Sequence, residues 1–259
     1  MSNLKQYTLI TGGSEGIGLE LAKLFAADRH NLIIVARDIE RLNNVKLYLE
    51  KKYGIDVEII SCDFSVDKGW EKVIKSVEEK NLIVDNLINN AGVGSFGLFQ
   101  NSKDGFEERL ININIITITK LTKHFLKGMI KNGCGGVLNV ASTAAFVGGP
   151  KMAMYYSSKA YVLSLTEALH DEVKSYGIRV TCLCPGPVST SFQEKSGIKK
   201  SKKAKSYLMT ADKVAQEGYR GFLKNKTIVI PGCRNKLLVI GTKIIPRSLS
   251  RKIVLMSNN

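Results

Sequence analysis

Seven short apolar runs, alternating with longer amphipathic stretches, constrain this chain more than any other feature. The runs are Tyr7–Thr11, Leu32–Ala36, Val57–Cys62, Val84–Asn89, Gly136–Ala141, Arg179–Leu183 and Thr227–Pro231. They are apolar at nearly every position, as strands buried on both faces must be. Between them lie helical patterns such as Ile17–Ala27, Ile39–Lys52, Lys68–Lys80, Lys103–Ile130 and Ala153–Tyr176. Strand, helix, strand repeated this often requires right-handed crossovers and a parallel sheet with helices on both faces, an α/β doubly wound fold. In such a sheet ligands bind beyond the carboxyl ends of the strands. Motifs just after strands therefore carry the functional signal.

A length of 259 residues suits one such domain, and 44% hydrophobic residues can fill its core. The net charge of +15 is unevenly placed. Residues 1–194 hold 22 basic and 21 acidic side chains, whereas residues 195–259 hold 16 and 2. Basicity thus belongs to the last quarter, where Lys199, Lys200, Lys202, Lys203 and Lys205 fall in a polar stretch, 193–210, without apolar periodicity. No recognised nucleic-acid module and no basic stretch interleaved with aromatics occurs, so nucleic acid is not an expected partner. The five cysteines form no C-x-x-C pair and the three histidines are far apart, so neither a disulfide framework nor a metal site is expected. No leader-like segment precedes the first strand, and no apolar run reaches the ~18 residues that span a bilayer. The expected location is cytoplasmic, or at the inner membrane surface if the basic tail touches lipid.

TGGSEGIG, Thr11 to Gly18, follows the first strand and opens a helical pattern. Glycines let a backbone turn tightly and approach a pyrophosphate. The helix start at Ile17 offers unpaired N–H groups and a positive dipole end. Gly12, Ser14, Gly16, Ile17 and Gly18 are therefore candidate phosphate-binding positions. Their spacing differs from G-x-G-x-x-G, and a glycine-rich turn without a ligand is the plain alternative. About 20 residues later, the second strand ends in Val35-Ala36-Arg37-Asp38. An acidic side chain there bonds both ribose hydroxyls of NAD, whereas a cation pairs with the 2′-phosphate of NADP. Arg37 comes first, which favours NADP(H) and keeps NAD(H) as the alternative. The plain alternative is that Arg37 is only a surface arginine and Asp38 an N-cap for the next helix. Asn89-Asn90-Ala91-Gly92 closes the fourth strand. Asparagine side chains tie neighbouring loops, while Ala91 and Gly92 leave room for a close ligand; an ordinary turn would use the same residues.

Tyr155 and Lys159 stand at i and i+4 on one face of a helical pattern. Ser142 lies just beyond the strand Gly136–Ala141, thirteen residues before the tyrosine. A phenol has an unperturbed pKa near 10, too high for use at neutral pH. A neighbouring ammonium is expected to lower it, and a serine hydroxyl can hold a substrate oxygen beside it. Y-x-x-x-K alone is common. Its position with the other motifs, in this order, gives it weight. Tyr156 and Tyr161 are read as packing aromatics.

With these motifs the chain resembles the short-chain dehydrogenase/reductase family, in its compact single-domain branch, over roughly residues 5–235. The matching pieces are TGGSEGIG, Asp63 in SCDFS, NNAG, Asn114 in ININI, Ser142, YYSSK and PGPVST at Pro185–Thr190. The stretch around Ser142 and Tyr155 is similar to bacterial members of the 3-oxoacyl reductase and hydroxysteroid dehydrogenase kind. The resemblance implies a Rossmann-like, seven-stranded parallel sheet in the order 3-2-1-4-5-6-7. It also implies roles. Tyr155 is the general acid in reduction and the base in oxidation. Lys159 binds the nicotinamide ribose and lowers the tyrosine pKa, and Ser142 orients the carbonyl oxygen. Asn114 holds a water that passes protons towards Lys159. Asp63 contacts the adenine, and Asn90 lines the cofactor cleft. In the Pro185-Gly186 segment, Val188 and Thr190 meet the carboxamide. One departure concerns Glu15, where many NADP-using relatives carry a basic residue. An acid near phosphates is unfavourable unless it points away or pairs with a cation.

The expected activity is reversible hydride transfer between NADP(H) and a carbonyl or secondary alcohol, with a small-molecule substrate that includes acyl thioesters among its candidates. The alternatives are a catalytically inactive NAD(P)-binding sensor or scaffold, and an epimerase or dehydratase. A homodimer or homotetramer is expected by analogy with relatives. The expected division is a catalytic domain over 1–235, with a flap at about 190–212, and a basic, apolar tail over 236–259 that touches anionic lipid or packs on the body.

Overall fold

A computed structural model of the protein describes residues 5–197 and 208–257. The five lysines of 199–205 lie outside the described residues. Strands β1 (Gln6–Thr11), β2 (Asn31–Ala36), β3 (Val57–Ser61), β4 (Ile83–Asn89), β5 (Gly136–Val140), β6 (Arg179–Leu183) and β7 (Ile228–Val229) form one sheet. Its order is β3-β2-β1-β4-β5-β6-β7 and every ladder is parallel. The helices are α1 (Gly16–Ala27), α2 (Ile39–Tyr53), α3 (Gly69–Glu79), α4 (Phe106–Ile111), α5 (Thr117–Asn132), α6 (Ala153–Val173), α7 (Phe192–Lys195), α8 (Ala211–Leu223), α9 (Cys233–Ile244) and α10 (Arg247–Ser257).

The continuous apolar runs follow from the two-sided core. Ile10, Ile34, Ile88, Leu138 and Leu183 pack with Leu21, Phe25, Leu42, Val214 and Phe222 from α1, α2 and α8. Their strand neighbours Leu9, Ile33, Val35, Leu87 and Val137 point the other way, onto Val73, Leu121, Phe125 and Met129 from α3 and α5. Alternate residues of each strand thus serve opposite cores, so neither set can be polar.

Two expectations change in detail. The stretch Lys103–Ile130, expected as one helix, is α4 and α5 joined by a π turn over Asn112–Ile116. Such widened turns concentrate at functional sites, and Asn114 sits in this one. The seventh strand is shortened at the sheet edge, with Pro231, which has no N–H to donate, beyond its end. At the carboxyl end, α9 runs across residue 235.

Candidate active site

The first strand hands over to α1 through the glycine loop. Gly12 has φ +64, a left-handed conformation suited to glycine, and a Cβ on Gly18 would lie 2.3 Å from Gly12 O. Side chains are thus excluded where the loop folds onto the helix start. Glu15 occupies the N-cap position of α1 without a capping side-chain bond. The first amides of α1, from Gly16, Ile17 and Gly18, therefore remain the donors an anion requires. Ser14 is buried within the loop.

Asn90 fixes this loop from the next strand. Its Nδ2 donates to Thr11 O and Gly12 O, each at 3.0 Å. Thr11 Oγ1 in turn accepts from Asn90 N and Ala91 N. Thr11 was not singled out as a site residue, although its hydroxyl joins the ends of β1 and β4. The ring of residues expected around the cofactor therefore includes a structural clamp.

At the end of β2, Arg37 is exposed while Asp38 caps α2, accepting from Arg41 N at 3.0 Å. Glu15 pairs with Arg41, which also lies 3.7 Å from Asp38. The carboxylate that opposed phosphate binding is thus answered by a cation 26 residues away. Sequence reasoning missed Arg41. Its spacing from Asp38 marks the first turn of a helix, but nothing local points it at the glycine loop. Asp63 accepts from Ser65 N at 2.9 Å. Against the cost of partial burial, the Ser65 bonds and the charges of Arg37 and Arg109 hold its carboxyl below the usual range.

Ser142, Tyr155 and Lys159 come together beyond β5. Ser142 Oγ donates to Pro185 O at 3.4 Å and stands near enough to the Tyr155 phenol to influence its ionisation. Ser142 Oγ also accepts from Ala144 N at 3.1 Å, which holds the hydroxyl at the start of the 3-10 turn Thr143–Phe146. Lys159 is buried, donates to Val140 O at 2.8 Å, and places Nζ 5.8 Å from the Tyr155 ring centre. Burial pushes the Tyr155 phenol up to about 12, opposed by the nearby Ser142 hydroxyl. Burial likewise lowers Lys159 to about 8. Burial thus sets the direction of both shifts.

Asn114 is fully buried on the π turn. Its Oδ1 accepts from Val93 N at 2.9 Å, and its Nδ2 donates to Val93 O and to Ser158 Oγ. Ser158 Oγ donates to the main-chain oxygen of Tyr155 at 2.8 Å. Asn114 therefore connects the loop after β4 to the Tyr155 turn. A Cβ on Gly92 would lie 3.4 Å from Lys159 Nζ and 3.5 Å from Asn114 Oδ1, so these groups share one corner of the cleft.

The segment after β6 closes the other side. Pro185 and Gly186 are buried. Val188 packs into the core and bridges to Met209, while its carbonyl accepts from Gln193 Nε2. The Thr190 methyl would lie 3.2 Å from a Cβ on Gly16. Phe192 on α7 sets its ring 5.6 Å from that of Tyr155. The sequence offered no sign of this contact. An apolar groove of about 310 Å³ between α5 and α6, lined by Leu126, Ile130, Leu165 and Leu169 among others, lies away from this chemistry. No cluster able to hold a metal ion occurs among the described residues.

The sequence profile of the family described as short chain dehydrogenase matches residues 6–201. A very-long-chain 3-oxoacyl-CoA reductase of Mus musculus is 30% identical over 193 residues, which make up 73% of this chain and 61% of that protein. A solved structure of a 7beta-hydroxysteroid dehydrogenase has a TM-score of 0.88 and 26% identity, covering 96% of both chains. A short-chain dehydrogenase from Sphingobium yanoikuyae, solved with NADPH, has a TM-score of 0.82 and 29% identity over 93% of this chain and 94% of that one. The sheet order, the glycine loop and the profile agree: this chain belongs to the short chain dehydrogenase family.

Proposed function

We propose that the protein is an NADP(H)-dependent oxidoreductase that interconverts a carbonyl and a secondary alcohol. The observation that carries this reading is the convergence of Ser142 and the Lys159 amine on the buried Tyr155 phenol. When bound, the nicotinamide supplies or receives the hydride. Ser142 holds the substrate oxygen, and Tyr155 gives it a proton in reduction or removes one in oxidation. A phenol held near 12 stays protonated at neutral pH and stands ready as an acid. Lys159 orients the nicotinamide ribose and supplies positive charge as the phenol loses its proton. Asn114 serves the return of protons towards Lys159. Its two amide protons go to Val93 and Ser158, and Oδ1, which accepts from Val93 N, keeps one lone pair for a water.

NADP(H) is favoured over NAD(H) by three observations. Arg37 is exposed at the end of β2, Asp38 is engaged as a cap, and Glu15 is paired with Arg41. The similar Sphingobium enzyme was solved with NADPH. Asp63 contacts the adenine, while Val188 and Thr190 meet the carboxamide. The substrate is a small carbonyl compound, and the names of the relatives make 3-oxoacyl thioesters and steroids the first candidates. Self-association as a dimer or tetramer belongs to the same proposal. NADPH oxidation across ketones, 3-oxoacyl thioesters, steroids and sugars tests it. Turnover of at least one class, faster with NADPH than NADH, is expected. Tight NADPH binding with no turnover in any class would favour the sensor instead.

A further inference from the structure

The last two helices carry apolar side chains outward. On α9, Asn235 and Val239 are buried against the body, and Asn235 Nδ2 donates to Pro231 O at 2.7 Å. On the opposite side of the same helix, at i, i+3 and i+7, stand Leu237, Ile240 and Ile244, exposed by 69%, 52% and 78%. On α10, Ser250 is buried while Leu249, Ile253 and Met256 are exposed. A helix lying on a soluble body normally turns polar residues to water. Here the outward stripes are apolar, and each helix adds three cations and no acid: Arg234, Lys236 and Lys243 on α9, Arg247, Arg251 and Lys252 on α10.

A second segment joins them. Phe96, Leu98 and Phe99, in the loop after β4, are also exposed. The loop 148–151 borders both. Gly97 N donates to Lys151 O at 2.8 Å, and the Arg251 stem lies 3.2 Å from where a Cβ on Gly148 would stand. α9 packs beside the 3-10 turn that follows Ser142. The segments that carry the apolar surface thus neighbour the candidate active site.

We propose that α9, α10 and the 96–99 loop dock onto an anionic lipid bilayer, with the apolar side chains in the headgroup boundary and the cations on lipid phosphates. Charge selects this occupant. A second copy of the chain would bring three cations per helix against an equal set, with no acid on either helix to answer them. Anionic lipid neutralises them instead. Among the described residues no helix is long and apolar enough to cross a membrane, so the contact is peripheral.

The test is co-sedimentation of the full chain with phosphatidylcholine vesicles, with and without phosphatidylglycerol. Two double variants accompany it, Leu237→Glu with Ile244→Glu and Lys236→Glu with Lys243→Glu. All four positions are exposed, and circular dichroism verifies that the variants fold. Binding about tenfold or more tighter to the anionic vesicles is expected, weakening with added salt and falling by about tenfold or more in each variant. Equal binding to both vesicle types, or binding untouched by both variants, would overturn the proposal. Loss of a dimer in the variants, without any vesicle binding by the parent chain, would overturn it in favour of a second copy. The readout requires no turnover, so it fails or succeeds separately from the proposed reaction.

Discussion

Glu15 and Arg41 illustrate how one charge decides what its neighbours can bind. A carboxylate on the glycine loop repels phosphate unless it is neutralised, and Arg41 neutralises it. Arg37 is left free of Asp38, whose carboxylate is spent on the α2 cap. Arg37→Ala is therefore expected to weaken NADPH by roughly tenfold or more and NADH little, since a charge-assisted phosphate contact is worth about 1.5–3 kcal/mol. Arg41→Ala uncovers Glu15 and should weaken both cofactors. Fluorescence titration of each variant checks this, and equal losses of the two cofactors in Arg37→Ala would count against 2′-phosphate recognition. The Glu15 difficulty was legible in the sequence, and so was its remedy in general form. The identity of the partner was not, because residues 15 and 41 meet only when β2 lies beside β1.

The same scale governs pH dependence. Burial lowers Lys159 to about 8 from the ordinary 10.5, so its charge is present below that pH and is lost as pH rises through it. Tyr155, pushed up to about 12, remains a proton donor throughout. Reductive kcat/KM for NADPH should therefore fall as pH rises through about 8. Lys159→Arg, which keeps its charge, should move any surviving falling limb upward. A profile level to about pH 10 would assign the lysine no charge-dependent part in the reaction.

At the scale of elements, the site depends on α6 being held against the sheet. A buried polar chain does this. Asn89 Nδ2 donates to Thr122 Oγ1 and Asn139 Oδ1, and Asn139 Nδ2 donates to Thr166 Oγ1. These bonds join β4, β5, α5 and α6 on the core side of the Tyr155 helix. Replacing Asn139 with Ala leaves buried partners unsatisfied, and should lower stability by about 1–3 kcal/mol in urea denaturation. An unchanged midpoint would show that the chain does not brace α6. The strands were legible because two-sided burial forces apolar runs. The π turn was not, since its widened geometry accompanies the bonding of Asn114 to Val93, 21 residues away in sequence. Ser142, Tyr155 and Lys159 lay between these cases: spacing placed the last two on one face, but only family resemblance ordered the three into a site.

For the whole molecule, the glycine loop on β1, the clamp from β4 and the closing segment after β6 meet at the carboxyl end of the sheet, so a ligand there ties several elements together. NADPH at about 100 times its Kd should add about 2.7 kcal/mol of stability, raising Tm by roughly 5–10 °C in a chain of this size. NADH at the same concentration should do less, and equal shifts would contradict the cofactor preference. The charge imbalance was legible as a fact about the last quarter, but its arrangement was not. Composition does not reveal that α9 buries Asn235 and Val239 while exposing Leu237, Ile240 and Ile244. For that reason point substitutions serve better than removal of everything after Gly232, which would strip Asn235 from its place against Gly186.

The whole reading rests on proton delivery by Tyr155, and the most direct measurement pairs two readouts on Tyr155→Phe. NADPH affinity should stay within about threefold of the parent chain, while single-turnover reduction of an accepted carbonyl should slow by roughly 10²–10⁴-fold, the usual contribution of a positioned acid. Reduction by that variant at the parent rate, with NADPH still bound, would contradict the account.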